Sequence, residues 1–148
     1  MPLTVLFCLV VAIGDGDTLT ALCAGPGAPL LLKVRVAAID APELRQAYGR
    51  AARQRLAQLC LGQRARIEPV ERDRYGRTVA HVRCNDSDAA SEQVRAGMAW
   101  VYTRYAAGRP QLAPLERRAR AAGLGLWAQR RPMAPWTYRH RYPQRPLR

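Results

Sequence analysis

The first forty residues contain three apolar runs separated by turn-forming segments, at residues 7–13, 18–22 and 30–39. Runs of Val, Ile and Leu bounded by Gly, Pro and Asp are typical of β-strands. The Asp15–Gly16 pair predicts a two-residue hairpin turn between the first two strands. Residues 25–29, rich in Gly and Pro, predict a loop before the third.

The pattern changes after residue 43, where apolar residues recur at helical spacing from Tyr48 to Cys60 with arginines on the other face. Gly62 is expected to end this helix. Residues 64–70 and 77–83 predict a second hairpin. A short helix is predicted from Ser87 or Asp88 to residue 95, followed by a short apolar segment at 98–102 and a last helix at 114–122.

This order of elements predicts an α+β fold that is mainly β: a five-stranded Greek-key barrel of the OB type with three helices. Such barrels commonly bind oligonucleotides on their strands. We assign residues 1–127 to this domain. Residues 128–148 carry six arginines and no acidic residue, and lack periodicity. They predict an irregular basic tail that either lies on the domain or extends from it.

The charge of the chain favours polyanionic partners. The 24 basic side chains outnumber 11 acidic ones and give a net charge of +13, and all but Lys33 are arginine. Arginine binds phosphate through two parallel hydrogen bonds, and each neutralised phosphate releases counterions. Genomic base composition is an alternative reason for arginine over lysine, but it does not explain the shortage of acidic residues.

The four cysteines allow three pairings. If Asp15–Gly16 is the turn, Cys8 and Cys23 lie opposite each other, which leaves Cys60 to pair with Cys84. Two disulfides indicate an oxidising compartment, so we expect a periplasmic or secreted protein. Four buried free thiols are the alternative. Residues 2–13 are interpreted as the first strand rather than a signal peptide, and no stretch is long enough to span a membrane.

Acidic residues at two strand ends predict a metal site. Asp17 begins the second strand and Asp40 ends the third, so both carboxylates are expected to reach one hard cation such as Ca²⁺. The absence of His and Cys from these motifs argues against zinc, nickel or copper. An ordinary polar turn is the alternative interpretation of residues 15–18.

Arg35 and Arg77 are candidate phosphate ligands. Arg35 and Asp40 are five residues apart, so an unbroken strand would direct them to opposite faces. If both serve one site, the strand must end, twist or bulge near residues 38–39. Glu43 is a candidate proton acceptor, a metal ligand through water, or a residue that favours the helix N-terminus. Two guanidinium groups and a dication would offset charge developing on phosphorus.

The ordered motifs resemble those of the thermonuclease (staphylococcal nuclease) family. They are Asp15–Gly16–Asp17–Thr18, Arg35 with Asp40–Ala41–Pro42–Glu43, Tyr48–Gly49, Asp73–Arg74–Tyr75–Gly76–Arg77, Gly97–Met98–Ala99–Trp100–Val101–Tyr102 and Gly123–Leu124–Gly125–Leu126–Trp127. The resemblance extends from about residue 10 to residue 127.

The resemblance implies an OB-fold, calcium-dependent nuclease that cuts DNA and RNA and leaves 3′-phosphate ends. It implies calcium ligands at Asp17, Asp40 and the Ala41 backbone carbonyl. Asp15 and Thr18 would support Asp17 from the same motif. Arg35 and Arg77 would bind phosphate and Glu43 would be the general base. The implied nucleotide contacts are Arg74, Tyr75 and Tyr105, and we expect a monomer without membrane attachment.

Several positions depart from the family pattern. Ala41 stands where the best-known member has Thr, and Thr103 stands where it has Tyr, while the segment between Glu43 and Tyr48 is shorter. None of these changes removes a proposed metal ligand or phosphate ligand. A non-catalytic nucleic-acid-binding module on the same barrel is one alternative function. A cationic protein that binds acidic cell-surface polymers is another.

Overall fold

A computed structural model describes residues 4–143 of the chain. Its first hairpin joins β1 (Leu6–Asp15) to β2 (Thr18–Cys23). The turn consists of Gly16 and Asp17, one residue later than the predicted Asp15–Gly16 turn. Two register shifts in β1, between Val10 and Ala12 and between Ile13 and Asp15, compensate for this difference. Cys8 therefore still pairs with Cys23, although not for the reason that the sequence suggested.

Five strands close into the predicted barrel. β2 pairs with β3 (Leu30–Val36), and β1 pairs with β5 (Arg64–Arg72), which in turn pairs with β6 (Thr78–Cys84). These pairings are antiparallel, and a parallel pairing of β3 with β6 closes the sheet. The order β1-β2-β3-β6-β5 confirms the mainly β, OB-type fold.

The third strand ends before Asp40, as a shared site for Arg35 and Asp40 requires. β3 ends at Val36, three residues before the predicted end, and Ala38 has a positive φ of 72°. A new short strand, β4 (Ile39–Asp40), then pairs with β8 (Trp100–Val101) rather than with the barrel. The predicted break near residues 38–39 is confirmed, and it separates Arg35 and Asp40 into different strands.

Within residues 4–143, four α-helices surround the barrel, one more than predicted: α1 (Gly49–Cys60), α2 (Ala89–Arg95), α3 (Leu112–Ala121) and α4 (Pro135–Arg141). The two-residue strand β7 (Ser87–Asp88) precedes α2, whose first turn is capped by the Asp88 side chain. A short 3₁₀ helix covers Gly125–Ala128.

The helix α4 corrects the expectation of an irregular tail. Pro135 occupies the start of the helix, where its missing N–H is tolerated. Trp136 then packs against Trp100 and Tyr102, with ring centroids 5.4 and 6.1 Å apart. The tail therefore lies on the domain over these residues. Residues 144–148 of the predicted tail lie outside the described range.

The barrel interior is apolar and the two disulfides lie at one of its ends. The largest buried side chains include Val10, Leu19, Val34, Leu56 and Ile67. Cys8–Cys23 and Cys60–Cys84 are both disulfide-bonded, which confirms the predicted pairing and excludes free thiols. Loops of this length contribute about 3 kcal/mol each in the chain-entropy model. Among residues 4–143, no helix is long and apolar enough to cross a membrane.

Candidate active site

The β1–β2 turn buries Asp17 at one end of the barrel. Its side chain is almost fully enclosed, with Oδ2 accepting a hydrogen bond from the Ala41 backbone N–H at 2.7 Å. The Thr18 hydroxyl donates to Oδ1 at 3.1 Å, and the Asp17 N–H donates to Asp15 Oδ1 at 3.0 Å. Asp15, Thr18 and Ala41 therefore all contact Asp17; the Ala41 contact is made by its N–H, and the roles expected of these residues at a metal site remain predictions.

The turn itself is held against two helices. A Cβ on Gly16 would lie 2.6 Å from the Ala52 Cβ of α1, so only glycine allows this close approach. The fully buried Gln93 side chain of α2 donates to the Gly16 carbonyl at 2.8 Å and to the Ala52 carbonyl at 2.9 Å. Gln93 is a positioning residue that sequence analysis did not single out.

Arg35 lies between the two buried carboxylates. Its Nη1 is 3.6 Å from Asp17 Oδ2, and its Nη2 is 3.5 Å from Asp40 Oδ1. The same guanidinium donates to the carbonyls of Val36 and Ile39, the latter at 2.7 Å. Because these carbonyls flank the break after β3, the guanidinium is fixed by the irregular backbone that also positions Asp40.

The pKa values of the three neighbouring aspartates are shifted in different directions. Burial and the adjacent Asp17 charge raise the pKa of Asp15 to about 7. Burial also acts against ionised Asp17, but the Arg35 guanidinium and several hydrogen bonds hold its pKa below the usual range. Burial raises the pKa of Asp40, although Arg139 favours its charged form. Burial thus acts against the charged form of all three carboxyl groups, and the neighbouring arginines favour the charged form of Asp17 and Asp40.

Glu43 is positioned by the segment between β4 and α1. The Gln46 side chain accepts a hydrogen bond from the Glu43 N–H at 3.1 Å, and the Gln46 N–H donates to the Glu43 carbonyl at 2.9 Å. A Cβ on Gly49 would lie 1.9 Å from that carbonyl oxygen. Glycine at the start of α1 is thus required for the backbone of Glu43 to take this path.

Arg139 of α4 is a second residue of the site that the sequence did not single out. Its Nη1 and Nη2 donate to Asp40 Oδ1 and Oδ2 at 3.0 and 2.7 Å, and Nη1 also donates to Glu43 Oε1 at 2.8 Å. These acceptors raise the pKa of Arg139. It lies 99 residues from Asp40, and the only sequence signal was the arginine content of the tail.

The β5–β6 turn carries the second predicted arginine. The Asp73 carboxylate accepts hydrogen bonds from the backbone N–H groups of Tyr75 and Arg77 and, at 2.8 Å, from Arg77 Nε. These bonds hold the pKa of Asp73 below its usual range against the opposing effect of burial. The Arg74 guanidinium donates to the Tyr75 hydroxyl at 2.8 Å. Asp73 thus positions Arg77, a role that was not predicted.

A cleft of about 960 Å³ brings these groups together. Seven basic side chains line it, at Lys33, Arg35, Arg72, Arg74, Arg77, Arg104 and Arg139. Six of the chain's eleven acidic side chains also line it, at Asp15, Asp17, Asp40, Glu43, Glu71 and Asp73. Tyr75, Tyr102 and Tyr105 line the same cleft. A chain so short of carboxylates therefore places more than half of them in one cleft.

The donors in this cleft fit a hard cation. Asp17 and Asp40 lie on either side of one guanidinium, that of Arg35, at 3.6 and 3.5 Å from its nitrogens. Among residues 4–143, no three His, Cys, Asp or Glu side chains form a group that could hold a metal alone. Two carboxylates with a backbone carbonyl and water are oxygen donors of the kind that calcium accepts.

Comparison with known proteins gives a consistent picture. A family model described as "Staphylococcal nuclease homologue" matches residues 33–129. An uncharacterized endonuclease from Haemophilus influenzae is 40% identical over 132 residues, which cover 89% of this chain and 72% of that protein. A micrococcal nuclease from Shigella flexneri is 39% identical over 142 residues, which cover 88% and 78% of the two chains.

The similarity extends to plants, but over a smaller part of the relative. A probable staphylococcal-like nuclease from Oryza sativa subsp. japonica is 36% identical over 107 residues, which cover 72% of this chain and only 32% of that protein. The range matched by the family model includes Arg35, Asp40, Glu43 and Arg77. Arg139 lies after that range.

Proposed function

Because this chain belongs to the staphylococcal nuclease family, we propose that it is a calcium-dependent nuclease that hydrolyses the phosphodiester bonds of DNA and RNA. The observation that carries the proposal is the pair of buried carboxylates, Asp17 and Asp40, joined through Arg35 in an arginine-lined cleft. Carboxylates that are this enclosed need compensating positive charge, which Arg35 and Arg139 supply in part and to which a bound dication would add.

The proposed cation ligands are Asp17, Asp40 and the Ala41 backbone carbonyl, with Asp15 and Thr18 orienting Asp17 through the hydrogen bonds described above. When bound, the ion would polarise a phosphoryl oxygen. Arg35 and Arg77 would bind the phosphate and stabilise the charge that develops in the transition state. Glu43 would accept the proton of the attacking water.

Substrate binding is proposed to depend on charge and on sugar and phosphate contacts rather than on base sequence. Arg74, Tyr75 and Tyr105 line the cleft beside Arg77. Arg74 and Arg77 both lie over the Tyr75 ring, at 5.0 and 5.5 Å from its centroid. We propose that the enzyme acts on both nucleic acids and leaves 3′-phosphate ends, as the family resemblance implies.

We also propose that the protein works as a monomer in the periplasm or outside the cell. Two disulfides connect all four cysteines, and disulfides persist in oxidising compartments. The cleft is complete within one chain, because every proposed site residue belongs to the same barrel and its flanking segments. Size-exclusion chromatography with light scattering tests the oligomeric state.

The deciding experiment is digestion of plasmid DNA and of RNA with added calcium or with a calcium chelator. We expect cleavage of both substrates only with calcium, and no cleavage by a matched Arg35→Ala preparation, which controls for contaminating nucleases. Products with 3′-phosphates should resist polymerase extension until treated with a phosphatase. Binding in a gel shift without product, with calcium present, would instead support a non-catalytic module.

A further inference from the structure

Arg139 makes the contacts that a cation at Asp40 would need. Its guanidinium donates to both Asp40 carboxylate oxygens, at 2.7 and 3.0 Å, and to Glu43 Oε1 at 2.8 Å. We propose that Arg139 is an intramolecular occupant of the metal site, so that calcium binds Asp40 only in exchange for this guanidinium. The inference rests on the proposed function, since it takes Asp40 as a calcium ligand.

The hydrogen bonds of Asp40 and Glu43 indicate that calcium would replace Arg139 rather than bind beside it. Asp40 is only 1% exposed, and Arg139 occupies both of its oxygens. Calcium–oxygen distances are about 2.3–2.6 Å. An ion that close to an Asp40 oxygen would lie within a few ångströms of the guanidinium nitrogens. Repulsion between the two positive groups in an enclosed site then favours departure of one of them.

Charge balance leads to the same conclusion. Asp17, Asp40 and Glu43 face two guanidinium groups, those of Arg35 and Arg139. With Arg139 in place, most of the negative charge is already offset, so a dication gains less on binding. After Arg139 leaves, the carboxylates again have an excess of charge that the dication can neutralise.

The structure gives Arg139 the freedom to leave without unfolding α4. The helix is attached through other contacts, because Trp136 packs on Trp100 and the Gln46 side chain donates to the Met133 carbonyl at 2.7 Å. The Arg139 side chain is 43% exposed, whereas that of Asp40 is 1% exposed. Rotation about the flexible arginine side chain is therefore enough to release Asp40 and Glu43 into the cleft.

The proposal predicts that removing Arg139 tightens calcium binding. The experiment is isothermal titration of CaCl₂ into the whole protein at neutral pH and low salt. We expect Arg139→Ala to bind calcium about tenfold more tightly than wild type, because a charge-assisted contact of this kind opposes binding by about that factor. Arg139→Lys, which keeps the charge but loses the two-pronged contact, should bind with intermediate affinity.

Arg141→Ala is the matched control. It removes the same charge from the same helix, and its side chain is exposed and takes no part in the proposed site. Its calcium affinity should stay within about twofold of wild type, as for screened surface charges. Equal gains in both variants would mean that the effect is one of net charge alone, and would overturn the proposal.

Thermal unfolding provides a second readout that also detects a misfolded variant. In chelator, Arg139→Ala should unfold at a lower temperature than wild type because buried Asp40 loses its two hydrogen bonds from Arg139 and keeps only the longer contact with Arg35. Calcium should then raise the unfolding temperature of Arg139→Ala by more than it raises that of wild type. A variant that binds calcium no more tightly than wild type, or gains no extra stabilisation, overturns the exchange while leaving the metal site intact. Failure of both wild type and Arg139→Ala to bind calcium overturns the proposed function as well.

Discussion

Arg35 shows how one side chain organises a charged site. It contacts two carboxylates and two backbone carbonyls at the break after β3. The contacts with the Val36 and Ile39 carbonyls fix its direction, so its conformational entropy is already lost before a ligand binds. A phosphate that approaches from the cleft would therefore meet a guanidinium in place.

At the residue scale, substitutions should distinguish the proposed metal ligands from the proposed phosphate ligands. Asp40→Ala is expected to lose calcium binding together with activity, whereas Arg77→Ala should bind calcium normally and lose about 10²–10³-fold in turnover. Calcium titration and initial-rate measurements on the same preparations test this. Equal calcium affinity in wild type and Asp40→Ala would remove the metal assignment.

Individual residues also mark the limit of sequence reasoning. Arg35, Asp40 and the break between them were predictable, because the two-residue period of a strand makes a five-residue spacing inconsistent with a shared face. Arg139 was not predictable, because its partners Asp40 and Glu43 are almost a hundred residues away and the tail has no periodic pattern. The packing of Trp136 and the hydrogen bond from Gln46 to the Met133 carbonyl hold α4 at the site.

At the scale of elements, the β5–β6 turn couples stability to pH. The Asp73 carboxylate accepts three hydrogen bonds from the turn, and its pKa in the folded protein lies below its usual value. A depressed pKa stabilises the fold above the unfolded pKa of about 4, and this contribution is lost as pH falls through the folded value.

We therefore expect Asp73→Asn to lower the unfolding free energy by about 1–2 kcal/mol at pH 7. The difference from wild type should begin to shrink as pH falls below about 4, where Asp73 of the unfolded chain is protonated, and should be lost once pH falls through the lower pKa of the folded state. Urea denaturation between pH 3 and pH 7 measures this. Asp86→Asn, at an exposed turn, is the control and should show little difference. A difference that is constant with pH would contradict the assignment.

A second element, the start of α1, positions Glu43, because the backbone of Gly49 lies close to the Glu43 carbonyl. Gly49→Ala would place a methyl group 1.9 Å from the Glu43 carbonyl, so the backbone must move. We expect a loss of about 1–3 kcal/mol in stability and of about 10²-fold in activity, as for overpacking and a misplaced catalytic group. Gly27→Ala is the control, because a Cβ there meets no atom within 4 Å. Unchanged turnover in Gly49→Ala would show that Glu43 need not be held this way.

The first hairpin shows a second limit of sequence reasoning. The turn chemistry of Asp and Gly located the hairpin to within one residue, but the bulges in β1 have no signal in the alternation of apolar and polar residues. Burial alternates from Cys8 to Val10 and then shifts, because Val11 and Ala12 are both exposed. Cys8 still lies opposite Cys23 because the two bulges compensate for the one-residue displacement of the turn.

At the scale of the whole molecule, we expect the barrel to fold without most of the segment after residue 127, but with lower stability. The division into residues 1–127 and a tail remains a prediction. A chain ending at Gln129 should still fold and form both disulfides. It should be less stable in chelator by about 2 kcal/mol, because Trp100 and Tyr102 lose the half-exposed Trp136.

Chemical denaturation and intact mass before and after reduction test this division. Trp136→Ala in the full chain is the comparison that isolates aromatic packing from the loss of Arg139. If the shortened chain fails to fold while Trp136→Ala folds normally, the barrel requires more of the tail than its aromatic contact, and the predicted boundary is wrong.

The two disulfides lie at the end of the barrel away from the cleft. Cys23 faces Cys8, Cys8 faces Ala65, and Ala65 faces Cys84, whereas Thr18 and Arg35 pair near the other ends of their strands. Native-state amide exchange should therefore be slow around the two disulfides and faster beside Asp17 and Asp40. Opening of the barrel is therefore expected to begin at the cleft end and to reach the disulfide-linked end last.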